Sequence, residues 1–173
     1  MRAVLGGFIA ALRVVPYALV ALILRLVMAR AIFLAGQAMV SGPDVPLSLG
    51  GFAYSIILPA QVRPEVLDAF ATKFAAVPLS SSFIAHGFIT HDFITHGFAY
   101  AEFLLPLCLI VGFATRVAAF LLLAMTVVLQ VYVDPGALWT LHAYWFSLLL
   151  VLTTLGGGAI SLDRLIRQLY LHA

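Results

Sequence analysis

The chain has 173 residues, 64% of them hydrophobic and 9% charged, and a mean hydropathy of +1.14. A soluble domain is about half apolar and about a quarter charged, so these values specify an integral membrane protein, with length for about four spans of roughly 20 residues and one sizeable loop. A net charge of +2 with scattered Arg and Lys argues against a nucleic-acid surface, and a single cysteine, Cys108, excludes an intrachain disulfide, a C-x-x-C pair and a cysteine metal cage.

Residues 1–16 carry Arg2 and Arg13 among apolar residues. A cleaved signal peptide is one reading. Hydrophobicity continues past any cleavage position, which favours a short interfacial helix leading into a span. The first span is read over 17–40. It holds Arg25 and Arg30, which five residues apart on a helix point about 140° away from each other and need separate partners or separate exits to water. Gly42-Pro43 ends it, and residues 41–80, with their prolines and charges, read as an extramembrane loop. Within the loop, Val66, Phe70 and Phe74 recur at i, i+4, i+8 behind Pro64, which predicts a short amphipathic helix on the membrane surface.

The second span is read over 92–113 and ends at Gly112. The third covers 117–133 and the fourth 139–155, separated by the turn Asp134-Pro-Gly136. Gly156-Gly-Gly158 closes the fourth span, and Ser161 caps a short terminal helix. The reading is therefore an all-α, four-helix membrane bundle in one domain. Counting basic residues at the span ends gives Arg2, Arg13, Arg116, Arg164 and Arg167 on one side against Arg63 and Lys73 on the other, which predicts both termini in the cytoplasm and the 41–80 loop outside. A multi-pass protein of a bacterial inner membrane is the localisation that fits.

Glu102 is the only charge within the apolar stretch from Phe98 to Phe113. An ionised carboxylate in hydrocarbon costs several kcal/mol on the order of translocon scales, so it must neutralise, face a polar cavity or meet a cation. Measured from Gly112, Glu102 lies about 15 Å deep, and Arg25 lies about 12 Å deep from the start of the first span. Matched depth in adjacent antiparallel helices predicts an Arg25–Glu102 ion pair. Such a pair either fixes helix register or lines a ligand or proton site.

Glu102-Phe-Leu-Leu-Pro106, Gly112-Phe-Ala-Thr-Arg116-Val-Ala-Ala119 and Gly156-Gly-Gly-Ala-Ile-Ser161-Leu-Asp163 resemble the signature of the DoxX family. Leu24-Arg25-Leu26 and the stretch from Phe74 to Pro78 fit the same pattern, so the resemblance runs from about residue 20 to the end. It implies a four-helix membrane fold. Relatives in that family include the membrane part of a thiosulphate:quinone oxidoreductase and subunits grouped with redox or metal-stress proteins. The departure from the pattern is a tandem pentapeptide, His86-Gly-Phe-Ile-Thr-His91-Asp-Phe-Ile-Thr-His96-Gly-Phe98, which inserts about ten residues and extends the second span outward by about 15 Å if helical. Histidines five apart do not converge on one ion, on a helix or on a strand, so no metal site is expected. Phe88, His91, Phe93, His96 and Phe98 instead form a surface for a partner protein or lipid.

At the outer end, Gln130, His142 and Trp145, with Tyr132, Asp134, Trp139 and Tyr144, read either as an aromatic belt or as a quinone headgroup site in which His142 donates to a carbonyl. No catalytic residues and no self-contained cofactor motif are visible, and quinone is the one cofactor the pattern leaves open. The function read from the chain is an accessory subunit that packs against other membrane subunits of a redox or photosynthetic complex. A quinone-interacting subunit of a sulfur oxidoreductase is the alternative, and a small permease the weaker third.

Overall fold

The computed structural model describes residues 17–49, 52–74 and 91–171. Residues 1–16 and the repeat up to residue 90 lie outside them. Four helical stretches, Tyr17–Met39, Phe93–Val111, Thr115–Val133 and Pro135–Leu155, are long and apolar enough to cross a membrane. In chain order the elements are α1 (Tyr17–Met39), strands β1 (Val40–Ser41), β2 (Asp44–Leu49), β3 (Phe52–Ile57) and β4 (Gln61–Val62), then α2 (Pro64–Phe74), α3 (His91–Val111), α4 (Thr115–Val128), α5 (Ala143–Leu155) and α6 (Leu162–Leu171). α4 continues as a π-helical turn over Leu129–Val133, and a second such turn, Leu138–His142, leads into α5.

The four long helices close on one another in the order α1–α3–α4–α5 and back to α1. Their shared core is Met28, Ala29 and Ile32 of α1, Leu109 of α3, Ala118, Ala119 and Leu122 of α4, and Leu149 and Leu152 of α5. Cys108 packs at its edge as a half-buried thiol. The buried residues of α3, Thr95, Ala99, Glu102, Pro106 and Leu109, recur every three or four positions, which is one helical face. Pro106 sits within that face; neighbouring helices make such prolines tolerable in a span by re-satisfying the freed backbone groups.

The loop end of the bundle holds two features the sequence reading did not anticipate. β2 and β3 form an antiparallel hairpin, Asp44 opposite Ile57 and Leu49 opposite Phe52, on a stretch where alternating apolar residues were overlooked behind the prolines. β1 and β4 pair Val40 with Val62, bringing the chain back to the end of α1. There Arg63 donates from its backbone N–H to Met39 and from Nε to the Val40 carbonyl, both at 3.0 Å, which satisfies carbonyls that the end of a helix leaves unpaired.

The amphipathic helix forms as expected, and two of its apolar residues, Val66 and Phe70, pack on the bundle, while the Phe74 side chain lies outside the described residues. Phe70 is buried against Leu129, with Val66, Ile94, Phe98 and Val133 around it, so α2 covers the loop end of the bundle. The Phe70 and Phe98 rings are 6.0 Å apart in a tilted arrangement. Fixing the aromatic side chains on protein rather than lipid removes them from the set free to bind a partner.

Candidate functional site

Two buried polar clusters stand out among the described residues. The first lies at the end where α1 begins and α5 finishes. Arg25, only 1% exposed, donates from Nε to the Leu109 carbonyl (2.8 Å), from Nη2 to Ile110 (3.0 Å), and from Nη1 to Gly157 (2.8 Å) and Ile160 (2.7 Å). Two of these acceptors belong to the last turn of α3, where Leu109 otherwise receives only the long 3.2 Å bond from the Gly112 amide, and two to the glycine loop after α5. One planar cation thus joins the ends of two helices to a third. Gly112, at φ 74°, ends α3 where a side chain would meet the Arg25 guanidinium 2.8 Å away.

Asp163 completes this end. Its carboxylate accepts from the backbone N–H groups of Ala114 (2.6 Å) and Thr115 (2.8 Å), while its own N–H donates to Gly112 (3.0 Å). Ala114, at φ 46°, has no side chain to cap α4, and a carboxylate from 49 residues away supplies the cap and the favourable charge for a helix N-terminus. Tyr17 donates its hydroxyl to Gly156 (2.8 Å), which fixes the start of α1 to the same loop.

The expected Arg25–Glu102 ion pair is therefore not made. Arg25 packs level with Leu109 to Gly112, whereas Glu102 packs level with Gly36, eleven residues further along α1, about 16 Å away along the axis. The depth estimate assumed that α1 and α3 end flush. They do not: α1 begins beyond the end of α3, against Gly156 and Gly158, so counting inward from both ends overstates how deep Arg25 lies.

The second cluster surrounds Glu102, 2% exposed, in the bundle interior. Gly36 lets α1 approach so closely that a β-carbon there would sit 2.9 Å from the Glu102 carbonyl group. The Glu102 side chain lines a void of about 10 Å³, room for one water, with Ile32, Leu122, Thr126, Leu129 and Trp145. Oε2 has no hydrogen-bond partner among the described residues, nor does the buried Nε2 of Gln37. Thr126 spends its hydroxyl hydrogen on the Leu122 carbonyl at 2.8 Å and keeps lone pairs to accept.

Trp145 bridges this void to the predicted outer trio. Its ring lies 6.0 Å from that of His142, and His142 Nδ1 is 2.7 Å from Gln130 Oε1. Because Gln130 donates its amide to the Pro135 carbonyl (2.7 Å), its oxygen accepts, and His142 Nδ1 carries the proton. The structure thus brings Gln130, His142 and Trp145 into contact, sets Glu102 beside Trp145, and leaves Arg25 apart from them. Gln130 sits in the first π-helical turn and His142 at the end of the second, and the two meet across the α4–α5 connection.

A family model for DoxX matches residues 20–135, two thirds of the chain. The chain belongs to the DoxX family. No curated protein and no solved structure gave a match. The matched range contains Arg25, Gly36, Glu102, Gly112 and Thr115 of this DoxX protein, while Gly157 and Asp163, which complete the first cluster, lie beyond it.

Of the residues expected to face a partner, Phe93 is 69% exposed, and His96 is half-buried with its ring 6.1 Å from Tyr100. Phe98 is half-buried under α2, and so is used within the chain. Phe88 and the side chain of His91 lie outside the described residues. Among the described residues no three His, Cys, Asp or Glu side chains gather as a metal site would require.

Asp163, Gly36 and Gly157 were missed as site residues. Gly36 was visible as a small residue inside a span, the usual mark of close helix contact. Asp163 stood in the sequence as part of a signature with no partner to suggest its role.

Proposed function

We propose that this DoxX protein is an accessory subunit that packs within a larger membrane complex, and the observation that carries the reading is Arg30. Arg30 is exposed on α1, about 20 Å from Tyr17 and about 14 Å from Met39 along the axis, and makes no hydrogen bond or ion pair among the described residues. Around it the outward stripe of α1 is apolar: Ile23, Leu26, Val27 and Leu34 are all 45–53% exposed. An arginine near the middle of a span costs about 2.5–3.5 kcal/mol on insertion scales, and helical side chains lean back toward the N-terminus, away from the nearer membrane surface. A carboxylate on a neighbouring subunit's span at the same depth removes that cost. Partner attachment is then specified by one ion pair in an apolar seam. The reading places the protein in a bacterial inner membrane with its termini cytoplasmic, beside a cofactor-bearing redox complex.

The test is recovery of the intact assembly in mild detergent, followed by native mass measurement. The chain should elute with a cofactor-bearing partner in fixed stoichiometry, and Arg30→Gln should release it while remaining folded. Release should be reversed when Arg30→Glu is combined with the opposite exchange at the partner's acid. A wild-type chain recovered alone, or an Arg30→Gln chain held as tightly as wild type, defeats the proposal.

The alternative, a quinone-interacting subunit, draws support from the junction of Glu102, Trp145, His142 and Gln130. The void there is one water in size, so a quinone ring would have to approach His142 from the rim, past the exposed Trp139 and Tyr144. Quinone retained by the lone protein and lost in His142→Phe would favour that reading over the accessory one.

A further inference from the structure

At the end of the bundle tied by Arg25 and Asp163 lies a cleft of about 720 Å³, enclosed by the start of α1, the α3–α4 turn, the glycine loop and α6. Arg116, Arg164 and Arg167 line it. None of the three makes a hydrogen bond or ion pair through its side chain among the described residues. The one acid in the wall, Asp163, has both oxygens occupied by the amides of Ala114 and Thr115. Three guanidinium groups against one carboxylate leave the described lining of the cleft with a net charge of +2. The Arg116 stem lies against Gly156, where a β-carbon would come within 3.0 Å of its Nε, so the glycine sets how close Arg116 sits to the loop.

The other wall is apolar. Val117 and Leu155, 60% and 55% exposed, run from the cleft onto the flanks of α4 and α5. α6 is amphipathic: Leu165 and Leu169, 53% and 65% exposed, form an apolar edge that none of the described residues covers. A helix of this kind at the end of a bundle lies in the membrane interface with its apolar edge among acyl chains. That places Arg164 and Arg167 at headgroup level, next to Arg116.

We propose that this cleft binds the phosphodiester headgroup of an anionic phospholipid, with its acyl chains along Val117 and Leu155. Guanidinium groups match phosphate oxygens in pairs, and three of them around one cleft suit a single phosphodiester better than a diffuse surface potential does. The apolar wall distinguishes a lipid from free phosphate, which has no use for it. Basic clefts between span ends are the sort of site that recognises lipid headgroups.

The test uses the full chain in detergent, with native mass spectrometry and thermal unfolding after addition of phosphatidylglycerol, phosphatidylcholine or inorganic phosphate. Phosphatidylglycerol should be retained at least about tenfold more than phosphatidylcholine and should raise the unfolding temperature, at roughly one arginine's share per contact. The double variant Arg164→Gln/Arg167→Gln should lose that preference, while Lys73→Gln, a charge removed at the opposite end, should keep it. Inorganic phosphate at millimolar concentration should not displace the lipid. Equal retention of the two lipids by the wild-type chain overturns the proposal without recourse to any variant. Equal loss in Lys73→Gln, or displacement by phosphate, overturns it as well.

Discussion

Replacing Arg25 by Met tests whether this buried arginine is a structural tie rather than half of an ion pair. The substitution removes four charge-assisted hydrogen bonds, each worth about 1.5–3 kcal/mol to a charged donor. The sum overstates the loss, because the carbonyls sit at a bundle end and some will recover water. The net effect should resemble that of opening a buried polar network, about 3–5 kcal/mol. Arg25→Lys should recover only part, since a single ammonium cannot reach carbonyls on both α3 and the glycine loop as a planar fork does. Reversible unfolding in mixed micelles gives the energies, and double-mutant cycles assign them. Arg25→Met and Glu102→Gln should add to within about 0.5 kcal/mol, as separated sites do, whereas Arg25→Met and Asp163→Asn, which act on one loop, should couple by about 1 kcal/mol. A coupling of that size between positions 25 and 102, or an Arg25→Met protein as stable as wild type, refutes the assignment.

Asp163→Ala should cost about 1–2 kcal/mol, the usual value of a lost helix cap, with hydrogen exchange accelerated first at the amides of Ala114 and Thr115. Gly36→Ala should destabilise by about 1–3 kcal/mol, and Gly36→Val by more, because a β-carbon 2.9 Å from the Glu102 backbone must push α1 from α3; equal unfolding temperatures for all three proteins would exclude so close an approach. Glu102→Gln, which keeps volume and removes the ionisable group, should leave stability within about 1 kcal/mol of wild type, and a larger loss would mean that the carboxyl oxygen has a partner after all. Gln130→Leu should free the His142 ring, seen as a change in its imidazole resonances, and an unchanged spectrum would contradict the 2.7 Å contact.

Composition alone specified the solvent, and span periodicity placed the four helices to within a few residues, because burial in lipid demands uninterrupted apolar length. The register between helices was not legible in the same way. Arg25 and Glu102 were matched by counting inward from helix ends, and that count fails wherever one helix overshoots its neighbour, as α1 does at Gly156. Hydropathy is blind to such offsets of a turn or two. The hairpin over 44–57 was hidden because Pro46, just after Gly42-Pro43, read as loop, although a two-stranded ladder leaves each strand a free edge on which a proline is tolerated. Gln130, His142 and Trp145 share the outer end of the bundle because they flank the α4–α5 connection, and the structure sets the His142 ring between the Gln130 amide and the Trp145 ring.

The two arginines of α1 show why charge in a span has to be read together with its neighbours. Both are long cations on one apolar helix, and composition treats them alike. Arg25 points at helix ends, where carbonyls without amide donors are plentiful, and it is consumed in holding α3, the glycine loop and α1 together. Arg30, 140° around the helix, is exposed among apolar side chains and meets no acceptor among the described residues. The insertion cost of the first is repaid inside the chain, so its loss should appear as instability. The cost of the second is left standing in the isolated bundle, so its loss should leave the fold unharmed and show only when another membrane subunit is present. That opposite behaviour of two chemically identical side chains separates a bundle that functions alone from one that is completed by its neighbour.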